Sequence, residues 1–316
     1  MLSKQLLTTK GSMFRRSSRL FWKAGRHVKG YSFFDFLHGY VYLRWPYAYI
    51  GIAKGDRRVP VVLRPFVGAI AWLFLRSAVR LDRVEGKREF ADRYHAKVVP
   101  TEAAVQLVTL EQPIELRNLE KIIPYSTAKD ILLSDPDHIV ALECPCRAGS
   151  ENPCLPLDVC LIVGEPFTSF VIEHHPNRSR WISQDDAVSI LRAEHERGHV
   201  HHAFFKDAML GRFYAICNCC SCCCGAMQAT RNGTPMLASS GFVATAEIER
   251  CAGCSLCADV CPFGALAVED GAVRIDEEKC MGCGVCVSKC AQGVLTLTRM
   301  PEKGEPLILS DLMSRD

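Results

Sequence analysis

Eight cysteines near the carboxyl end of this 316-residue chain fall into two runs of identical spacing. Cys251, Cys254, Cys257 and Cys261, followed by Pro262, read C-x2-C-x2-C-x3-C-P. Cys280, Cys283, Cys286 and Cys290 repeat that spacing 29 residues further on. Clustered thiolates at this spacing suit a cube of iron and sulfide. One tight loop supplies three corners, and in paired runs the fourth cysteine ligates the other cluster. One four-iron cluster is therefore expected on Cys251, Cys254, Cys257 and Cys290, and a second on Cys280, Cys283, Cys286 and Cys261. C-x2-C pairs also hold zinc, but one zinc ion takes four thiolates and has no use for a third and fourth at these positions, twice over. The chemistry implied is one-electron transfer.

The other ten cysteines lie between residues 144 and 224. Cys144, Cys146, Cys154 and Cys160 form a spread set, opened by Cys144-Pro-Cys146-Arg147. Cys217, Cys219, Cys220, Cys222, Cys223 and Cys224 put six thiols into eight residues. Three uses compete for them. They could hold one or two further iron–sulfur clusters, bind a structural zinc ion with histidine help, or cycle through disulfides. Adjacent Cys-Cys pairs bridge one another badly, whereas metal loops tolerate them. The neighbouring His174, His175, His195, His199, His201 and His202 are expected to mark a solvated helix end rather than ligands.

The elements that position these residues are legible in part. Ala265 to Val268 and Val294 to Leu297 read as strands after each cysteine run, with a turn at Glu269 to Ala272. Ile139 to Leu142 reads as a strand delivering Cys144. Ser183 with Asp186 forms a capping box that opens a helix, with Ala187, Ile190 and Leu191 on one face and an end near Gly198. Glu102 to Leu110, Asn118 to Ile123 and Thr127 to Leu133 read as helices. No G-x-G-x-x-G after a strand and no P-loop occurs, so a nucleotide cofactor has no support.

Charge divides the chain. Residues 1–90 carry 18 Lys and Arg against 5 Asp and Glu, a net of +13, while the remainder carries a net of −10. The first 34 residues have no acid at all. Aromatics follow at Phe33, Phe34, Phe36, Tyr40, Tyr42, Trp45, Tyr47 and Tyr49, then an apolar run from Phe66 to Leu75. That run is half the length of a membrane span and is flanked by Arg64 and Arg76. In-plane association with an anionic membrane surface, or docking on a membrane-bound partner, fits better than a span. Nucleic acid is not expected as a partner. The amino terminus lacks the apolar core of a secretory signal, and the cysteine usage implies a reducing interior. The expected location is cytoplasmic, peripheral to the inner face of the cell membrane, in an anaerobic or facultative organism.

Residues 244–300, with their eight cysteines in repeat, closely resemble the bacterial two-cluster ferredoxins. The resemblance implies a pseudo-two-fold β-α-β fold around two 4Fe-4S clusters and a low-potential electron carrier. Ala291 departs from the proline that usually follows the last cysteine. The Cys144-Pro-Cys146-Arg147 region and the Cys217 to Cys224 loop, preceding such a module, are similar to those of multidomain four-iron proteins of anaerobic bacteria over about residues 95–300. Residues 1–90 lie outside that likeness.

The expected fold is α+β. A basic, mostly helical region (1–90) precedes a mixed α/β cysteine-rich domain (91–240), a ferredoxin-like dicluster domain (241–300) and a tail (301–316). The expected function is single-electron relay to a redox partner protein through two 4Fe-4S clusters and a further metal centre. The alternative is an iron–sulfur oxidoreductase whose Cys144–Cys224 centre is catalytic, with Arg147, Arg178 and the histidines at 199–202 handling charge or protons.

Overall fold

A computed structural model describes residues 15–55, 83–117 and 119–313; the apolar run Phe66 to Leu75 lies outside them. The fold is α+β. After helices Arg16–Gly25, Phe33–Arg44, Pro46–Lys54 and Val84–Arg93 come strands β1 (Tyr94–Val99), β2 (Ile114–Leu116), β3 (Ile131–Leu133), β4 (Ile139–Leu142), β5 (Cys160–Val163), β6 (Ser179–Ile182), β7 (Val200–Lys206), β8 (Arg212–Cys219) and β9 (Leu237–Ala238). Seven of them form one sheet in the order β6-β4-β5-β8-β7-β1-β9, antiparallel except for the β1–β9 pair.

Strands β4 and β5 are apolar throughout because helices cover both faces of the sheet. On β4 and β5, Val140, Leu142, Cys160 and Ile162 point into one core. Ile139, Ala141, Leu161 and Val163 point into the other. The first core is closed by the amino-terminal helices and by helix Phe167–His174. The second is closed by helices Thr101–Val108, Gln184–Glu196 and Leu309–Met313. The end of the chain is therefore anchored: Leu307, Leu309 and Leu312 are buried, and the Leu309 N–H donates to Gln106 Oε1 at 2.9 Å.

The helix expected over Glu102 to Leu110 is present as Thr101–Val108, and the one expected from the Ser183–Asp186 capping box to near Gly198 is present as Gln184–Glu196. The expected helix over Thr127 to Leu133 is not. Its last three residues are β3, paired antiparallel with β2, where side-chain burial overrides the helical preference of leucine. The helix expected over Asn118 to Ile123 is not formed among the described residues: 120–122 are turn, and Asn118 lies outside them.

The basic amino-terminal segment shares the main core. Phe21, Phe36, Tyr42 and Leu43 are buried in it, and the Tyr42 hydroxyl bonds those of Tyr94 (2.9 Å) and Tyr214 (2.8 Å). About half of the aromatic stretch is thus structural. Phe33, Phe34 and Trp45 stay 50–56% exposed.

On β1, between β7 and β9, His95 is buried and stacked on Tyr125 at 3.7 Å. Burial lowers its pKa to about 4 from the ordinary 6.5. The unfolded chain therefore takes up a proton below about pH 6.5 that the folded one refuses until about pH 4. Stability is lost progressively across that window, by on the order of 3 kcal/mol from this residue. His95→Gln should flatten the fall between pH 6.5 and 4 in denaturant titrations.

Residues 241–300 form a smaller unit with β10 (Phe242–Ala246), β11 (Leu266–Glu269), β12 (Ala272–Ile275) and β13 (Leu295–Arg299). β10 pairs with β13 and β11 with β12, both antiparallel, and the turn at Asp270-Gly271 is where the sequence placed it. The 29-residue repeat is also a repeat of backbone. Left-handed φ occurs at Gly253 and Gly282, at Ser255 and Gly284, and at Gly264 and Gly293. At Gly282 a Cβ would lie 2.2 Å from the Phe242 carbonyl oxygen, so the loop needs glycine for room as well as for conformation.

Candidate metal centres

In each cysteine run the third thiol sits at or near the start of a short helix, Leu256–Asp259 in the first and Val285–Lys289 in the second. Two left-handed residues wind the loop before each helix, Gly253 and Ser255 in the first run and Gly282 and Gly284 in the second. This winding turns the thiols inward onto two cavities. One is lined by Cys251, Cys254, Cys257 and Cys290. The other is lined by Cys261, Cys280, Cys283 and Cys286. The fourth thiol of each run has crossed to the other run's cavity. Apolar walls line both, with Val268, Val273 and Leu295 in the first and Phe263, Met281 and Leu297 in the second.

Backbone dipoles support negative sulfur here. The Ala265 N–H donates to Cys261 Sγ at 3.3 Å and the Ala244 N–H to Cys280 Sγ at 3.4 Å. Burial works against ionisation of Cys290, but the N–H groups of Val294, Gln292, Leu295 and Gly293 outweigh it and hold this thiol below its ordinary value. Cys286 is pushed up to about 12 by burial, then by the neighbouring Cys261 and Cys280. Such a thiol stays protonated at neutral pH until a metal displaces the proton. Four convergent thiols around an apolar-walled cavity are a donor set suited to an iron–sulfur cube.

The ten remaining thiols are all free and are drawn together by the sheet. Cys160 opens β5 and stands opposite Cys217 on β8, their Sγ atoms 3.8 Å apart. Cys219, two residues on, shares that face and contacts Cys224 at 3.2 Å. Cys144 leaves β4 and is in hydrogen-bonding contact with Cys146 and Cys160. These six thiols abut the core beside Tyr42 and Tyr214. Contact with Cys146 and Cys160 holds the Cys144 thiol well below its ordinary value, and contact with Cys144 drives Cys146 and Cys160 up. Cys154, Cys220, Cys222 and Cys223 form a separate group near the surface, in which every pair of sulfurs lies within 4.8 Å.

Arg147 links the two groups. Its side chain and that of Glu194 are each only 1% exposed, and they form an ion pair. The guanidinium also donates to the Asn218 carbonyl at 2.8 Å and the Pro156 carbonyl at 2.6 Å. His199 Nδ1–H donates to Glu194 Oε2 at 2.7 Å. Burial disfavours the charged guanidinium, but the Glu194 hydrogen bond outweighs it and keeps the cation. That cation acts on Cys144 in one group and Cys220 in the other.

Arg147 thus faces protein rather than a substrate. Arg178 packs over Tyr47 at 4.4 Å and pairs with Glu143. The histidines are not a solvated helix end. Gly198, at φ 82°, stops the helix, and His201 and His202 run on into β7, fully buried because β7 lies inside the sheet. His201 Nδ1 bonds Asn218 Oδ1 at 2.6 Å. Sequence reading overlooked Glu194, although it sits on the same apolar stripe as Ala187 and Leu191. A lone carboxylate on such a stripe signals a buried cation.

Residues 245–291 match the family model described as a 4Fe-4S dicluster domain, which supports a 4Fe-4S ferredoxin-like module over that segment. No curated protein matches the chain.

Proposed function

We propose that the chain is an iron–sulfur electron-transfer protein that relays single electrons through two 4Fe-4S clusters to or from a third, inner centre. The observation that carries this reading is the crosswise sorting of eight thiols into two four-thiol cavities. Cys251, Cys254, Cys257 and Cys290 hold one cluster; Cys261, Cys280, Cys283 and Cys286 hold the other. The inner centre takes its ligands from Cys144, Cys146, Cys160, Cys217, Cys219 and Cys224. When bound, the clusters supply one-electron reduction and oxidation.

The residues of the chain set the path. Phe263 and Met281 wall the cavity of Cys261 and also pack on the core that contains Cys144, Cys219 and Cys224. Val285, between Cys283 and Cys286, packs on Val98 of β1 and Val200 of β7. Lys289 ties the module to the Glu196 carbonyl at 2.6 Å. At the far cavity Cys254 and Leu256 are exposed. Electrons enter or leave there, where a redox partner protein docks, and pass by way of the nearer cluster to the inner centre. Reduction of the anaerobic protein, followed by paramagnetic resonance, tests the path. Two spin-coupled 4Fe-4S signals support it, and a single isolated signal contradicts it.

We further propose that the basic segment attaches this relay to an anionic membrane surface or a membrane-bound partner. Among the described residues no helix is long and apolar enough to cross a membrane. Phe33, Phe34 and Trp45 are exposed, Arg44 lies over the Trp45 ring, and Lys23, Arg26 and Lys29 precede them in the sequence. Deleting residues 1–90 would also remove Phe21 and Tyr42 from the core, so point variants are the better test. Phe33→Ser with Phe34→Ser should weaken binding to anionic vesicles by roughly tenfold or more, measured by flotation. Unchanged flotation removes this part of the proposal.

A further inference from the structure

The chain holds thiols at two different spacings. In the dicluster module they ring cavities, and among the described residues no three of those eight thiols come within 4.8 Å of one another. At Cys154, Cys220, Cys222 and Cys223 all four sulfurs do, with Cys154 to Cys222 at 3.1 Å and Cys222 to Cys223 at 3.6 Å. Four sulfurs bound at about 2.3 Å to one tetrahedral ion stand about 3.8 Å apart. A cube places irons and sulfides between its thiolates and drives them much further apart. We propose that Cys154, Cys220, Cys222 and Cys223 bind a single tetrahedral divalent ion, zinc or a lone iron, distinct from every iron–sulfur cluster of the chain.

The connectivity gives this ion a task. Cys154 lies midway along the loop between Cys146 and Cys160. Cys220, Cys222 and Cys223 lie within the loop between Cys219 and Cys224. Each loop thus carries inner thiols at its ends and outer thiols in its middle. One ion shared by the two middles pins both loops over the inner centre. The loops are already set for this. Gln228 Nε2 donates to the Cys222 carbonyl at 2.8 Å, and Arg231 to the Ser221 carbonyl at 2.6 Å. Divalent metal on four thiolates carries two negative charges, and the Arg147 cation that acts on Cys220 offsets part of them.

The test uses the full chain purified without oxygen, with zinc, iron and acid-labile sulfide counted in wild type, Cys154→Ser and Cys222→Ser. Each variant should lose one zinc, or one iron without sulfide, per chain. The paramagnetic signals of the dicluster module should persist, which shows that the variant is folded and keeps this test independent of the relay reading. Should the variants fail to fold, anaerobic wild type is counted by itself: it should hold one zinc, or one iron in excess of acid-labile sulfide, per chain. Loss of about four irons with their sulfides from either variant, unchanged metal in both, or wild type with neither zinc nor such excess iron overturns the proposal.

Discussion

Arg147→Ala should destabilise the folded chain by about 3–5 kcal/mol, because it leaves Glu194 buried without its main partner. The Glu194 carboxylate is 1% exposed, and its other contacts, His199 and the half-exposed Arg197, do not replace a guanidinium. The same change removes the cation that acts on Cys144 and Cys220. Two effects are thus predicted from one substitution, and a double variant separates them. Arg147→Met with Glu194→Met removes both charges together and should recover most of the lost stability, since an apolar pair of similar volume avoids the unpaired charge. It should not recover metal retention in the 144–224 region, where the positive charge is still missing. Denaturant titration reads the first effect and metal analysis the second. Equal stability of the single and double variants would contradict the assignment of Glu194 as the cause.

Cys254→Ser should abolish the outer cluster of the dicluster module, with loss of up to four irons per chain. The thiol is exposed and lines the cavity with Cys251, Cys257 and Cys290. The cavity of Cys261, Cys280, Cys283 and Cys286 shares no ligand with it, so its cluster and the 144–224 centres should keep their spectra. The spin coupling between the two module clusters should vanish, leaving one simple signal. Loss of all signals together would refute the division into modules.

The dicluster segment was legible because its cysteines are local. Three thiols within seven residues define a loop by themselves, and the 29-residue repeat shows where the fourth must cross. Strands β11 and β13 and the turn at Asp270-Gly271 followed from short apolar runs between glycines. The helix from Gln184 followed from the Ser183–Asp186 box and an apolar stripe. The 144–224 region was only half legible. Which of its ten thiols meet is decided by pairing between β5 and β8, residues 57 apart at Cys160 and Cys217, and no local pattern encodes that register. The histidines misled for the same reason. His201 and His202 read as polar, yet β7 became an inner strand, and Asn218 on β8 supplied a partner for His201. In the amino-terminal segment composition gave the charge but not the fate of each ring. Phe36 and Tyr42 went inward and Phe33 and Phe34 outward, because a single helix has two faces and only one finds the sheet.

The most direct test of the central claim is the metal and sulfide content of the full chain purified without oxygen, together with its spectrum after reduction. Two cubes shared crosswise by Cys251, Cys254, Cys257, Cys290 and Cys261, Cys280, Cys283, Cys286 require at least eight irons and eight acid-labile sulfides per chain, with two interacting signals. Zinc in those positions, or iron without labile sulfide, would contradict it.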